Sequence, residues 1–215
     1  MTWINLFSTA KIPFYIYKLQ PGDSLINISG NDQNQSMLVL HGIMYMLQVF
    51  TNNETLPIAI LHSNSIIDIH KTLFNNKSYY KIIAVEETYI ISFKQKDLIH
   101  KHKKTKNTLV HLLYSYKLTL YNNEIMRQIL AHKYIKSRII QLILFLSIEF
   151  GIIENKTTRI PFIIRKTDIA IITGTNLITT NKIINQLKKK KIIDYSKQKI
   201  ITINNYFLSN CLFIN

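Results

Sequence analysis

The sequence is poor in cysteine and glycine. One cysteine, Cys211, stands among 215 residues, which excludes disulfide frameworks, cysteine-bound iron–sulfur clusters and thiolate zinc sites. With only five glycines, the chain has none of the glycine-rich loops of P-loop or dinucleotide-binding enzymes. The neighbouring acids, Glu86 with Glu87 and Glu149 with Glu154, lack the histidine partners that suggest acid–base catalysis. We therefore predict that the protein is not an enzyme.

The histidines do not replace the missing thiolates as metal ligands. His100 and His102, with His111 further along the chain, lie among lysines and have no carboxylate or thiolate companions. His70 would be an isolated haem ligand, since no second ligand is evident. We predict no metal site.

Long hydrophobic runs are also missing. The longest run, residues 139–150, lies between Arg138 and the end of a predicted helix. It is shorter than the roughly 20 apolar residues that a membrane span needs. The N-terminal segment lacks the charged start, apolar core and cleavage site of a secretory signal. We expect no membrane partner.

Acidic residues are few, with 12 Asp and Glu against 27 Lys and Arg, so the net charge is +15. Such an excess predicts a polyanionic partner. It is concentrated in residues 156–199, which hold eleven basic side chains and two acidic ones. Isoleucine, lysine and asparagine are over-used and arginine is scarce, which is typical of an AT-rich genome such as that of an organelle or a reduced endosymbiont.

Residues 165–203 have the pattern of a short helix, a glycine turn, a second helix and a basic hairpin, which is typical of a winged helix-turn-helix. Gly174 supplies the positive φ that ends the first helix. Asn176 is the N-cap of the second. Its inner face repeats at helical spacing through Thr180, Ile183, Ile184 and Leu187.

The opposite face of the second helix, the turn before it and the hairpin are the expected DNA contacts. The lysine run at 188–191 is either a solvated helix end or a set of phosphate contacts, and the two interpretations are compatible. The predicted DNA-binding residues are Lys166, Thr175, Asn176, Leu177, Ile178, Thr179, Asn181, Lys182, Gln186, Lys197 and Lys199.

Residues 12–93 contain short apolar segments separated by turn residues at intervals of about ten, which predicts a β-sandwich or β-roll. The expected strands are 14–19, 37–40, 43–50, 57–61, 79–85 and 88–93. A helix over 136–150 and a strand over 158–164 should precede the helix-turn-helix.

The period becomes helical over residues 107–130. An a/d stripe of this kind packs either on the protein's own β-domain or on a second copy. DNA binding favours the dimer, because two-fold proteins contact half-sites one helical turn apart. Asn123 would fix the register of the pair. The stripe consists of Leu109, Leu113, Tyr116, Leu120, Asn123, Arg127 and Leu130.

This order of elements resembles the Crp/Fnr family of bacterial transcription regulators. It is most similar to the nitrogen-control branch, the NtcA regulators of cyanobacteria, which have plastid-encoded relatives in red algae. The resemblance is carried by PGD at 21–23, MLVLHG at 37–42, ILAHKYIKSRIIQLILFLSIEFG at 129–151 and a gap-free frame over 168–199.

The resemblance implies an α+β fold. A cyclic-nucleotide-binding type β-roll (jelly roll) would occupy residues 1–105, a long dimerisation helix 106–131, and a winged helix-turn-helix domain 132–215. It further implies a homodimer on a palindromic DNA site that controls nitrogen-related or organellar genes, as an activator or a repressor, with RNA polymerase as a further partner. The implied location is the plastid stroma or nucleoid, with a bacterial cytoplasm as the alternative.

Two departures from the family alter these expectations. Leu177 and Lys182 stand where the family has base-reading arginines, so DNA specificity should be altered or relaxed. The family binds 2-oxoglutarate or a cyclic nucleotide beside a glycine-bearing loop, where this chain has Asp68, a carboxylate that repels anions. We expect that the usual effector is not bound in the usual way. The candidate effector residues are Ile67, Asp68, Ile69, His70, Lys77, Thr119 and Glu124.

The leading hypothesis is a dimeric, DNA-binding transcription regulator. One alternative is a basic organellar protein that binds RNA or the nucleoid, although the chain lacks the aromatic and GxxG patterns of the common RNA-binding modules. Another is a degenerate effector sensor with relaxed DNA specificity.

Overall fold

The computed structural model describes residues 3–27, 35–67, 78–94, 96–97 and 106–207, with the backbone alone for residues 106–108 and Asn27. The chain divides into two compact units, Met1–Met126 and Arg127–Asn215.

The first unit contains a short helix, two antiparallel four-stranded sheets and most of a long helix. The sheets have the orders β1-β8-β3-β6 and β2-β7-β4-β5. The predicted β-roll is therefore confirmed, whereas α1, β2 and β6 were not predicted. Its elements are α1 (Trp3–Thr9), β1 (Phe14–Leu19), β2 (Ser24–Asn27), β3 (Gln35–His41), β4 (Ile43–Phe50), β5 (Thr55–His62), β6 (Ile66–Ile67), β7 (Ser78–Ala84), β8 (Thr88–Lys94) and α2 (Lys106–Ala131), which continues into the second unit.

Two apolar clusters fill this unit. One lies between the sheets and includes Met44, Leu61 and Ile82. The other lies on the opposite side of the sheet that contains β3 and β8, where Trp3 and Phe7 of α1 pack together with the beginning of α2. Because both faces of this sheet are covered, β3 and β8 have longer apolar runs than a sheet with one solvated face.

The second unit holds the last residues of α2 followed by α3 (Ile135–Phe150), β9 (Ile152–Glu154), β10 (Thr157–Arg159), α4 (Lys166–Ile172), α5 (Leu177–Lys189), β11 (Ile193–Tyr195) and β12 (Ile201–Asn204). Its sheet has the order β11-β12-β10-β9. Two helices joined at a glycine and followed by a hairpin form the predicted winged helix-turn-helix.

The strand predicted over 158–164 is wrong beyond Arg159. Pro161 has no backbone N–H and cannot continue a hydrogen-bonded ladder. The segment instead makes two isolated bonds to the wing, from the Ile160 N–H to the Ile201 carbonyl at 2.9 Å and from the Ile164 N–H to the Lys199 carbonyl at 3.1 Å. These bonds place the chain correctly for the start of α4.

Thr119 joins α2 to the sheet. Its hydroxyl oxygen accepts the Ile66 N–H at 2.9 Å. The hydroxyl hydrogen has two acceptors within reach, the carbonyls of Ile66 at 2.9 Å and of Ser115 at 3.1 Å. One side chain thus binds both backbone groups of a residue in the two-residue strand β6.

Thr119→Val should lower the free energy of unfolding of the first unit by about 1–3 kcal/mol, because the Ile66 backbone loses its hydroxyl partner. Thr119→Ser is the matched control and should lose less, since it keeps the hydroxyl. Urea denaturation followed by the fluorescence of Trp3, the one tryptophan of the chain, measures both. Equal stability of the Val and Ser variants would contradict the role given to the hydroxyl.

Candidate nucleic-acid interface

The start of α4 is fixed by Asp168, whose side chain is only 4% exposed. Its carboxylate accepts the Arg165 backbone N–H at 3.1 Å. It also accepts the Nε–H of the Arg165 guanidinium at 2.9 Å. A carboxylate in the first turn satisfies backbone donors that the helix itself leaves unpaired.

The end of α4 is fixed by the turn and by Arg138. Gly174 has φ +63°, as predicted. The Arg138 guanidinium donates to the carbonyl of His132 at 2.9 Å and to that of Thr173 at 3.5 Å. Arg138 therefore connects the region after α2 with the C-terminal end of α4.

The helix α5 is positioned by its N-cap and its inner face. Oδ1 of Asn176 accepts the Thr179 N–H at 2.8 Å. The predicted inner-face residues Thr180, Ile183, Ile184 and Leu187 are all buried. Because this face is anchored, the opposite face is free to contact a ligand.

The outer face of α5 carries the predicted contact residues. Ile178 is 81% exposed and Leu177 is 43% exposed. Lys182 and Gln186 are exposed, while Thr175, Thr179 and Asn181 are half-buried beside them. The structure thus places these predicted residues together on one surface, with Asn176 serving as the cap.

The wing is tied to α5 by Lys188. Its ammonium donates to the Tyr195 carbonyl at 2.9 Å and lies 3.1 Å from the Asp194 carboxylate. Lys188 therefore has a structural partner, whereas residues 189–191 are exposed. At the tip of the hairpin, Lys197 and Lys199 are exposed.

Tyr195 was not predicted as part of this surface. Its hydroxyl donates to the Ile164 carbonyl at 3.0 Å. Burial and the nearby Asp168 carboxylate raise the pKa of the Tyr195 phenol, so the hydroxyl keeps its proton. The Lys166 ammonium lies 5.2 Å from the centre of the ring, a cation–π contact.

These contacts shape a groove of about 410 Å³ between the start of α4, the first turn of α5 and the wing. Arg165, Lys166, Lys197 and Lys199 line it, together with Leu177 and Tyr195. Arg165 is paired with Asp168, but the three lysines of this concave surface attract an anion such as a backbone phosphate.

The candidate effector residues are only partly described. Ile67 is buried in β6, Thr119 bonds to the Ile66 backbone, and Glu124 is half-buried. Asp68, Ile69, His70 and Lys77 lie outside the described residues.

The stripe on α2 is divided between two environments. Leu109 and Tyr116 pack against the apolar cluster of the first unit, and Asn123 and Leu130 are half-buried. Leu113 and Leu120 are each 67% exposed, and Arg127 is exposed as well. One part of the stripe therefore packs on the protein's own β-domain, and another part is exposed and could pack on a second copy.

Within the described ranges, no helix is long and apolar enough to cross a membrane. The same residues contain no group of three or more His, Cys, Asp or Glu side chains that could hold a metal ion.

Residues 137–206 match the Crp-like helix-turn-helix domain. The chain is 26% identical over 208 residues to ycf28 of Porphyra purpurea, named as an HTH-type transcriptional regulator, covering 96% of this chain and 86% of that one. It is 24% identical over 215 residues to the global nitrogen regulator of Synechococcus elongatus, with coverage of 97% and 95%.

The fold is similar to that of a CRP/FNR-family transcriptional regulator from Thermus thermophilus. The TM-score is 0.68 at 16% identity, and the match covers 91% of this chain and 97% of the other. The fold predicted from the sequence is confirmed.

Tyr195→Phe should lower the free energy of unfolding of the second unit by about 1–3 kcal/mol, because the Ile164 carbonyl loses the hydroxyl that donates to it. Hydrogen exchange of the α4 amides, measured by mass spectrometry, should become faster. Tyr206→Phe is the matched control, because Tyr206 is 77% exposed. The same exchange rates in both variants would contradict the role of the Tyr195 hydroxyl.

Proposed function

We propose that the protein is a transcription regulator that binds double-stranded DNA, because residues 137–206 match the Crp-like helix-turn-helix domain in a chain with the Crp/Fnr-type fold. The observation that carries the proposal is the surface formed by the outer face of α5 and the basic groove beside it. An exposed helix on a fixed scaffold fits the major groove, and the flanking cations contact phosphates. The relatives are regulators rather than enzymes by name, which agrees with the absence of catalytic motifs.

We propose that the protein acts as a homodimer on a palindromic site. The support is the exposed apolar side of α2. Leu113 and Leu120 are one heptad apart and are both mainly exposed, as are Val110, Tyr114 and Tyr121 near them. A helix with such a side reduces its exposed apolar surface when it packs on a second copy.

The proposed targets are nitrogen-related genes, and the proposed location is a plastid. Support for the first comes from the relatives named as global nitrogen regulators. Support for the second comes from the relative in Porphyra purpurea and from the composition typical of an AT-rich genome.

We propose further that Thr119 does not serve an acidic effector. A threonine has no charge to pair with a carboxylate, and its hydroxyl already binds the Ile66 backbone. Regulation by 2-oxoglutarate or a cyclic nucleotide would therefore need other residues.

DNA binding should become weaker as salt increases, and replacing Lys197 and Lys199 together with Ala should make this dependence less steep. Each phosphate contact contributes about 0.9 to the slope of log K against log salt, so the double variant should lose up to about 1.8. Fluorescence anisotropy at several salt concentrations measures the slope. Lys94→Ala with Lys96→Ala is the matched control, since both lysines are exposed in the first unit with the same spacing.

An unchanged slope in the wing variant would contradict the proposal that the wing contacts DNA phosphates. Equal affinity for duplex DNA and for RNA of the same sequence would instead favour the alternative of an organellar RNA-binding protein.

Leu113→Glu with Leu120→Glu should convert the protein to a monomer, because charges at both positions repel a second copy and are costly to bury. Sedimentation velocity should show the mass fall from twice 25.2 kDa to 25.2 kDa. Ile26→Glu with Leu56→Glu is the control, since these side chains are also exposed in the first unit. A wild-type protein that sediments as a monomer at micromolar concentration would contradict the dimer.

A further inference from the structure

The first turn of α5 exposes two large apolar side chains. Ile178 is 81% exposed, the highest value among the large hydrophobic side chains of the described residues, and Leu177 is 43% exposed. They directly follow the N-cap Asn176 at the N-terminal end of α5. Leu177 also lines the groove.

Packing within this chain does not account for these two residues. Single exposed apolar side chains are common on proteins and need no explanation. Here, however, two are adjacent, and the rest of the exposed face is polar, with Lys182, Asn185 and Gln186. The helix is already anchored by the four buried residues of its inner face.

The outer face of α5 has no arginine, since Arg165 is the last arginine of the sequence. Contact of arginine or lysine with O6 and N7 of guanine is the commonest specific contact in the major groove. Lys182 supplies a cation, but as a point charge it lacks that paired geometry. The face therefore has one cation, Lys182, for contact with guanine, and no arginine fork.

The groups that are present fit A·T pairs. Thymine is the one base of unmodified DNA with an apolar group in the major groove, its 5-methyl, and the methyl is contacted by apolar side chains. The amides of Asn181 and Gln186 can each donate to N7 and accept from N6 of adenine. The apolar side chains of the first turn and the amides one and two turns later are thus both suited to A·T pairs.

We propose that the first turn of α5 recognises thymine methyl groups through Leu177 and Ile178, and that Asn181 and Gln186 contact adenine, so that the recognised half-site is rich in A·T pairs. This inference rests on the proposed function. It names the class of DNA sequence that the same surface selects.

Deoxyuridine provides a direct test, because it differs from thymidine only in lacking the methyl group. Duplexes are first selected from a random library with the full-length protein, and the half-site should be rich in A·T pairs. Each thymine of the half-site is then replaced singly by deoxyuridine. The wild-type protein should lose about fourfold in affinity at each contacted methyl, the value expected for one buried CH₂ or CH₃ group.

Two variants assign the effect to this turn. Ile178→Ala should bind thymine and deoxyuridine duplexes equally at the position that Ile178 contacts. Ile153→Ala is the matched control, because Ile153 is 76% exposed on β9 and belongs to the same unit. It should discriminate against deoxyuridine as the wild type does.

Selection of a G·C-rich half-site, or equal wild-type affinity for thymine and deoxyuridine throughout the half-site, would overturn the inference while leaving DNA binding intact. The same discrimination in Ile178→Ala as in the wild type would overturn the assignment to Ile178. If no duplex were bound at all, the proposed function would fail and this inference with it.

Discussion

The start of α4 is the point on which the DNA-facing surface depends. A helix of seven residues is too short to be stable alone, because few of its backbone groups can pair within it. Asp168 supplies an acceptor from inside the helix, and the Tyr195 hydroxyl of the wing donates to the Ile164 carbonyl just before it. Since the Tyr195 ring also lies close to the Lys166 ammonium, one side chain both secures the segment before the helix and contacts a cation of the groove.

The lysines of this region have two roles, since some stabilise the scaffold and others line the groove. Lys188 connects α5 to the wing through Tyr195 and Asp194, a partly exposed pair that is worth about 0–1 kcal/mol by itself. The groove lysines, in contrast, face an open concavity where a phosphate would fit. The net charge of +15 is thus a poor measure of the number of phosphate contacts, because part of it supports the scaffold of the Crp-like domain.

In the β-roll, too, a short element is held by a side-chain hydroxyl. The strand β6 has two residues, and Thr119 binds both backbone groups of one of them. In both units a short element is held by a hydroxyl from a distant part of the chain, 53 residues away for Thr119 and 31 for Tyr195. Such contacts leave no local pattern in the sequence.

By itself the sequence determined the helices α2, α3 and α5, the longer strands, the Gly174 turn and the Asn176 cap. These depend on hydrophobic period and on side chains that bond within a few residues. The helix α1 was not predicted, because its seven residues contain only two buried side chains, Trp3 and Phe7, which are too few to show a helical period. Only the tertiary structure decided which leucines of α2 are covered and that Tyr195 meets Ile164, because those contacts form when elements far apart in the chain pack together.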